Sequence, residues 1–305
     1  MHDAVLWCPL HSCAQIAQLT TAMAAYGWDW NALVTKGYPG ITSNAVTEYW
    51  YLYDSFEGRY AAPWSWALAG GTSLVYLWVV YWLAPRTVPS NKDLLSFMKK
   101  AHNIFLFLFS LLCCGSTFVW MVLNGEMGVG AGAGKGMKPM VCQPIPLWMW
   151  YLNLAFTFSK IYEWADTVFL VWSNPAKPKL MFLHVYHHAT TFWLFLHVSC
   201  FASTIKMGLL LNGGVHTLMY AHYAWPFPKK LVPFITLSQI AQLLFVTYVW
   251  SITPGTCGGR LGEFPSEHPF DFVTPYCFVP VYIIFFVKFF VERFLLGKKK
   301  GTKKE

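Results

Sequence analysis

The stretch FLHVYHHATTFW, Phe182–Trp193, places three histidines, His184, His187 and His188, in an otherwise apolar run. Their spacing of i, i+3 and i+4 puts all three on one face of a helix. An ionisable ring is costly among apolar side chains unless it is hydrogen-bonded, holds a metal or carries out chemistry. Which of these applies depends on the solvent around this helix and on what neighbouring segments bring to the same depth.

The solvent is legible in composition. The chain has 305 residues, of which 56% are hydrophobic and 12% charged, against about 25% charged in an ordinary globular domain. Mean hydropathy is +0.40. These values predict an all-α integral membrane protein. Seven apolar runs reach the roughly 20 residues needed to cross a bilayer: 61–84, 101–124, 146–172, 182–203, 206–224, 231–252 and 273–296. Residues 1–60, rich in Trp, Tyr and small side chains, form an N-terminal segment expected along the membrane interface. Residues 297–305 are a basic tail. No basic n-region precedes an apolar h-region at the start, so no cleaved signal peptide is expected.

Loop charge sets the expected orientation. Fourteen lysines and arginines fall on the side holding Arg86, Lys99, Lys177, Lys179, Lys229, Lys230 and the tail; six fall on the other, Lys206 among them. The positive side is expected to be cytosolic, with the N-terminus on the opposite face. The net charge of +8 is thus accounted for by topology and gives no nucleic-acid patch.

Four spans carry polar residues. The third holds KIYEWADT, with Lys160, Glu163, Asp166 and Thr167; the fourth holds the three histidines; the fifth holds NGGVHTLMYAHY, with Asn212, His216, Tyr220, His222 and Tyr223; the sixth holds TLSQIAQ, with Thr236, Gln239 and Gln242. At about 1.5 Å per residue, His187 lies roughly 8 Å, Asp166 roughly 9 Å, His216 and Gln239 roughly 12 Å and Glu163 roughly 13 Å from the cytosolic end. A shared level on four helices predicts a polar chamber in the cytosolic half. His102 and His197, single histidines in their spans, are read as packing residues.

Several chemistries compete for this layer. The box HxxHH occurs in membrane di-iron enzymes, but those need about eight histidines in three boxes. Here one HxxHH exists, and no HxxxH exists outside it. A single ion on His184, His188 and a carboxylate stays open. Neutral imidazole also serves as acyl acceptor and general base near pH 7. The glycine-rich GVGAGAGKGMKP lacks the Ser or Thr after its lysine and a preceding strand, so it is expected to be a connector. A seven-span receptor matches the orientation, but no basic triplet ends the third span and no NPxxY lies in the seventh. A transporter would be expected to show an internal repeat.

Taken together, KxxExxDT at Lys160–Thr167, HxxHH at His184–His188, HxxMYxxY at His216–Tyr223 and TxxQxxQ at Thr236–Gln242 resemble the ELO family of very-long-chain fatty acid elongases. The resemblance covers about residues 50–296. It implies seven helices enclosing an acyl tunnel in the endoplasmic reticulum membrane, with a lumenal N-terminus and a cytosolic C-terminus. The implied reaction condenses acyl-CoA with malonyl-CoA to 3-ketoacyl-CoA, CO2 and CoA, with no cofactor and no metal. Implied partners are the ketoacyl reductase, dehydratase and enoyl reductase that finish the cycle; a homodimer is also allowed.

On this reading His187 accepts the acyl group, His188 or His184 orients it, and His216 acts as base or as donor to the oxyanion. Asp166 and Glu163 tune the rings, and Lys160 balances the carboxylates. Asn212, Gln239, Gln242, Tyr220, His222 and Tyr223 contact substrate, while Lys177, Lys179, Lys229 and Lys230 meet the CoA phosphates. Three departures from the family pattern stand out. His222 occupies a position usually held by Tyr, Lys179 one often held by Gln, and the tail lysines miss the usual retrieval spacing. Tyr186 and Ala189 in the box resemble members that act on polyunsaturated chains. An oxidising lumen would allow Cys142 and Cys257 to bridge, a pairing the sequence leaves open.

Overall fold

The computed structural model of the chain describes residues 41–42, 45–46, 63–127, 137–143, 145–176, 178, 180–199, 201–258, 265–266 and 269–296. Strands β1 (Ile41–Thr42) and β2 (Ala45–Val46) are followed by helix α1 (Pro63–Trp78), which runs on as a π turn over Val79–Leu83 and a 3-10 turn over Ala84–Arg86. Helix α2 spans Lys92–Leu123, α3 Lys138–Cys142, then strand β3 Ile145–Pro146 and helices α4 Leu147–Tyr162 and α5 Trp164–Ser173. Helix α6 covers Phe182–Val198; α7 (Ala202–Met207), a π turn (Gly208–Asn212) and α8 (Gly213–Ala224) form one run. Helices α9 (Val232–Cys257) and α10 (Pro269–Phe290) follow, the last continuing as a π turn to Leu296.

Each expected span falls on a helical run, but most runs are not single helices. Among the described residues, two helices qualify on their own, by length and apolarity, to cross a membrane: α2, with mean hydropathy 2.2, and α9, with 1.6. The first, third, fifth and seventh expected spans are divided by π turns or a kink. The described residues are mostly helical, as the all-α reading expects. Beside the helices, β1, β2 and β3 form a small antiparallel sheet, with Ile41 opposite Val46 and Val46 opposite Ile145, so β2 pairs with the strand that leads into α4.

Local chemistry explains the elements that position the site. Helix α2 begins at Asn91, whose side chain accepts from the N–H groups of Asp93 and Leu94, satisfying two donors that the first turn leaves free. It starts nine residues before the span expected at 101 and, at about 1.5 Å per residue, runs roughly 48 Å. Its outer face shows Phe97, Phe105, Leu108, Leu112 and Leu123, a surface suited to lipid. Its inner face meets α8 at Gly213, where a Cβ would come within 3.3 Å of the Ser110 carbonyl oxygen and the Cys114 nitrogen. Any larger residue there would need the α2 backbone to give by a few tenths of an ångström, so glycine suits this close approach.

At one end of the bundle the helices are tied together. Cys142 and Cys257 form a disulfide across 115 residues of sequence. Beside it Lys206 donates to Glu126 Oε2 at 2.6 Å and to the Gln143 carbonyl at 3.0 Å. Met121, Val141, Met207 and Val249 pack around this region. Lys206, counted above as a loop charge, is therefore a buried ion-pair partner, its side chain 0% exposed. Burial pushes the Glu126 carboxyl up to about 7, against the pull of the Lys206 ammonium.

Candidate active site

The third expected span breaks at Glu163. Its N–H still reaches the Ser159 carbonyl at 2.8 Å, while Asp166 N–H bonds to the Glu163 carbonyl, three residues back, at 3.0 Å. This tightened turn separates α4 from α5 and rotates the two halves of KIYEWADT relative to one another. The motif consequently serves three different neighbours.

Its first neighbour is a buried carboxylate–lysine centre. Lys160, 1% exposed, donates to Glu163 Oε1 at 2.8 Å and to Asn212 Oδ1 at 3.3 Å. Asn212 hands its amide on to Gln242 Oε1 at 3.4 Å. The ammonium also lies over the rings of Phe156 and Phe195, 4.1 and 5.1 Å from their centroids. Ser159 adds a 3.3 Å bond to the same Glu163 oxygen. His216 Nδ1 stands 3.6 Å from it, just outside hydrogen-bond reach. The π turn over Gly208–Asn212 shifts the register immediately before Asn212 and so brings Asn212 and His216 toward α4.

The second neighbour is the histidine box. Thr167 Oγ1 sits 2.9 Å from both Tyr76 OH and His184 Nε2, linking α1, α5 and α6. From His184 the rings continue: His184 to His188 at 4.5 Å and His188 to His187 at 5.3 Å between centroids. On its other side His187 faces Tyr282 of α10 at 5.4 Å. Tyr282 is fixed by its bond to Thr190 Oγ1 at 2.5 Å, and Thr190 in turn donates to the Tyr186 carbonyl. Trp164 donates to the His188 carbonyl at 3.0 Å, joining α5 to α6. His187 and His188 lie within electrostatic reach of His216.

The third neighbour lies on α2. Asp166 Oδ1 is 3.1 Å from His102 Nε2, and Tyr220 donates to Asp166 Oδ2 at 2.7 Å. Asp166 thus contacts neither the histidine box nor His216 by a hydrogen bond, and His102, read from sequence as hydrogen-bonded packing, makes its bond to Asp166 within the polar layer. Helices α1, α2, α4, α5, α6, α8, α9 and α10 all contribute to this layer.

Among the described residues, His188 Nδ1, His216 Nδ1 and Glu163 Oε2 of this layer are buried without a hydrogen-bond partner, as is Thr191 Oγ1 three residues beyond His188 on α6. Native interiors rarely leave such groups unpaired, so these atoms, on α6, on α8 and at the α4–α5 break, suit a polar ligand. Among the described residues, no group of three or more His, Cys, Asp or Glu side chains is placed to hold a metal ion.

The remaining expected site residues lie apart. His222 Nδ1 accepts the Phe227 N–H at 2.8 Å, closing the turn after α8. Tyr223 is 52% exposed, and Gln239 reaches only the Met219 sulfur, at 3.9 Å. Lys229 and Lys230 are exposed on the turn before α9. Lys177 and Lys179 lie outside the described residues. Sequence reasoning missed Tyr76, Ser159, Trp164, Thr190 and Tyr282, and it named Thr167 only as a polar residue. The one available signal was the i, i+3 spacing of Thr190 after His187.

Comparison with known proteins agrees with these motifs. The sequence model of the ELO: GNS1/SUR4 family matches residues 63–303. The human protein named very long chain fatty acid elongase 6 is 29% identical over 212 residues, covering 65% of this chain and 72% of its own. Fatty acid elongase 1 of Trypanosoma brucei brucei is 28% identical over 212 residues, 66% of this chain and 67% of its own. Fatty acid elongase 2 of the same organism is 27% identical over 262 residues, 77% of this chain and 91% of its own.

Proposed function

The chain belongs to the ELO family, whose members are membrane proteins, and from that membership and the geometry of its polar layer we propose that it elongates fatty acids by condensing acyl-CoA with malonyl-CoA. One observation carries the reading beyond the family name: His188 Nδ1, His216 Nδ1 and Glu163 Oε2 are buried, unpartnered and set around the same layer. Of these, a protonated ring nitrogen can donate to a thioester carbonyl or a malonyl carboxylate, an unprotonated one can act as base, and the Glu163 oxygen can accept from a substrate N–H or O–H.

The first half-reaction is an acyl transfer. An imidazole nitrogen of His187 attacks the acyl-CoA carbonyl, the C–S bond breaks, and CoA leaves as a thiol with the imidazole proton. The rings of His188 and Tyr282 on either side of His187 hold it for that attack. In the second half, malonyl-CoA loses CO2, and the resulting enolate attacks the acyl-imidazole carbonyl. The C–N bond breaks, and the departing imidazole nitrogen takes up one proton from water, giving 3-ketoacyl-CoA and neutral His187, so that the whole cycle consumes one proton. The oxyanion formed on the way needs a preorganised donor. Glu163 Oε1, 3.6 Å from His216 Nδ1, favours a proton on that nitrogen, which is then a donor for a substrate oxygen. Lys160 keeps Glu163 compensated, so this carboxylate can be buried beside the reaction.

The cytosol-facing end is the one where α2 begins. Its exposed Lys229 and Lys230 would meet the CoA phosphates. The disulfide supports placing its own end in the oxidising endoplasmic reticulum lumen. Polyunsaturated acyl chains are the substrates proposed from the histidine box. No cofactor enters the proposed cycle, and separate reductases and a dehydratase complete it.

The test uses the full-length chain purified in detergent, with labelled malonyl-CoA and a panel of acyl-CoAs. The wild-type chain releases CoA from acyl-CoA alone, then forms 3-ketoacyl-CoA and CO2 when malonyl-CoA is added. His187→Ala loses both, by about 1000-fold or more. Normal condensation by that variant refutes the nucleophile assignment, and absence of any malonyl-dependent product from the wild type refutes the reaction.

A further inference from the structure

We infer that His102, through Asp166, is a positioning residue that fixes the spacing between the two helices carrying the reactive histidines. The role at the reaction rests on the elongation reading above; the spacing itself does not. Asp166 stands next in sequence to Thr167, which holds His184 of α6. The same carboxylate accepts from Tyr220, one helical turn after His216 on α8. Asp166 is therefore the link through which α5 ties α6 to α8, and its other oxygen is held by His102 Nε2 at 3.1 Å.

The His102 ring is itself fixed on several sides. It lies 4.9 Å from Tyr162, 5.3 Å edge-on to Phe169 and 6.2 Å edge-on to Tyr220, from three different helices. Its side chain is 3% exposed, against 14% for Asp166. A ring boxed in this way has one orientation, and in it Nε2 points at the carboxylate. With His102 the carboxylate has a donor on each oxygen and cannot rotate. Without it, Asp166 keeps Tyr220 alone and can turn about its terminal torsion, which is broad for this side chain. The Thr167–His184 contact would then move relative to His216. Displacement of about 1 Å between reacting groups can cost about 100-fold in rate.

The test compares His102→Leu, which fills similar space without a donor, with His102→Gln, whose amide N–H reaches a similar point. Activity with acyl-CoA and malonyl-CoA, unfolding midpoint and the distance between spin labels at positions 182 on α6 and 218 on α8 are measured for each. His102→Leu is expected to lower kcat by about 10- to 100-fold with KM changed less than about 3-fold, and to lengthen or broaden the label distance. His102→Gln is expected to stay within about 3-fold of wild type with the distance unchanged. Tyr220→Phe combined with His102→Leu should cost less than the product of the single effects, because both act on one carboxylate. If Leu keeps full kcat and distance, or if Gln fails as Leu does, the positioning role is wrong. If the wild-type chain makes no malonyl-dependent product, the reaction assignment falls, and the label distances alone decide the positioning role.

Discussion

Replacing Lys160 by Met tests the energetic centre of the polar layer. The ammonium and Glu163 Oε1 are 2.8 Å apart with both side chains at most 2% exposed. Removing the cation leaves Glu163 with one 3.3 Å bond from Ser159 and an Oε2 that has no partner. An ion pair broken at this depth costs about 3–5 kcal/mol, because the surviving charge is buried uncompensated. Asn212 loses its Lys160 contact as well, so its bond to Gln242 loosens. The assay is denaturant unfolding of the full chain in lipid nanodiscs, followed by tryptophan fluorescence. The single variant should lose about 3–5 kcal/mol, whereas Lys160→Met with Glu163→Leu should recover to within about 1 kcal/mol of wild type, since an apolar pair of similar volume needs no compensation. A single variant that loses less than about 1 kcal/mol, or a double variant no better than the single, would show that the pair is not the buried unit described here.

Further outcomes are expected elsewhere. Glu126 titrates at about 7 in the folded chain instead of its ordinary 4.5, so the folded state holds an extra proton between those values. Its contribution to stability is full below about 4.5 and is lost as pH rises through about 7; the difference between wild type and Glu126→Gln in unfolding scans from pH 4.5 to 8 should carry that slope, and a flat difference refutes it. Cys142→Ser, which opens a cross-link spanning 115 residues, should lower unfolding free energy by up to about 5 kcal/mol and abolish the mobility shift between reduced and non-reduced gels. Tyr282→Phe removes the bond to Thr190 and should cost about 1 kcal/mol of stability, whereas Tyr282→Ala, which also removes the ring facing His187, should lower kcat at least about 10-fold further.

The layer was readable from sequence where helix geometry alone decides position. The rise per residue is constant, so His187, His216 and Glu163 could be placed at similar depths, and Lys160 with Glu163 at i, i+3 could be paired. Partners distant in sequence were not readable. His102 sits 64 residues from Asp166, and a lone histidine in a helix has the same pattern whether it packs or positions. Lys206 looked like a loop charge because its partner Glu126 is 80 residues away. Breaks within spans escaped too: no Pro or Gly marks the kink at Glu163, and the π turn before Asn212 leaves the apolar pattern intact. Tyr76 and Tyr282 were hidden among the 16 tyrosines of the chain, many of which suit a membrane interface equally well.

The disulfide has a mechanical consequence for how any bulky ligand reaches the polar layer. α3 and α9 are riveted at Cys142–Cys257, and Lys206 braces the same region against Glu126 and Gln143. Helices α5 and α6 are instead joined by two hydrogen bonds, Thr167 to His184 and Trp164 to the His188 carbonyl, and by apolar packing of Trp164 and Val168 on Val185 and Ala189. No covalent tie resists their parting, so on the proposed reaction entry to the polar layer is expected between these two helices, and reducing the disulfide is expected to leave that route unchanged.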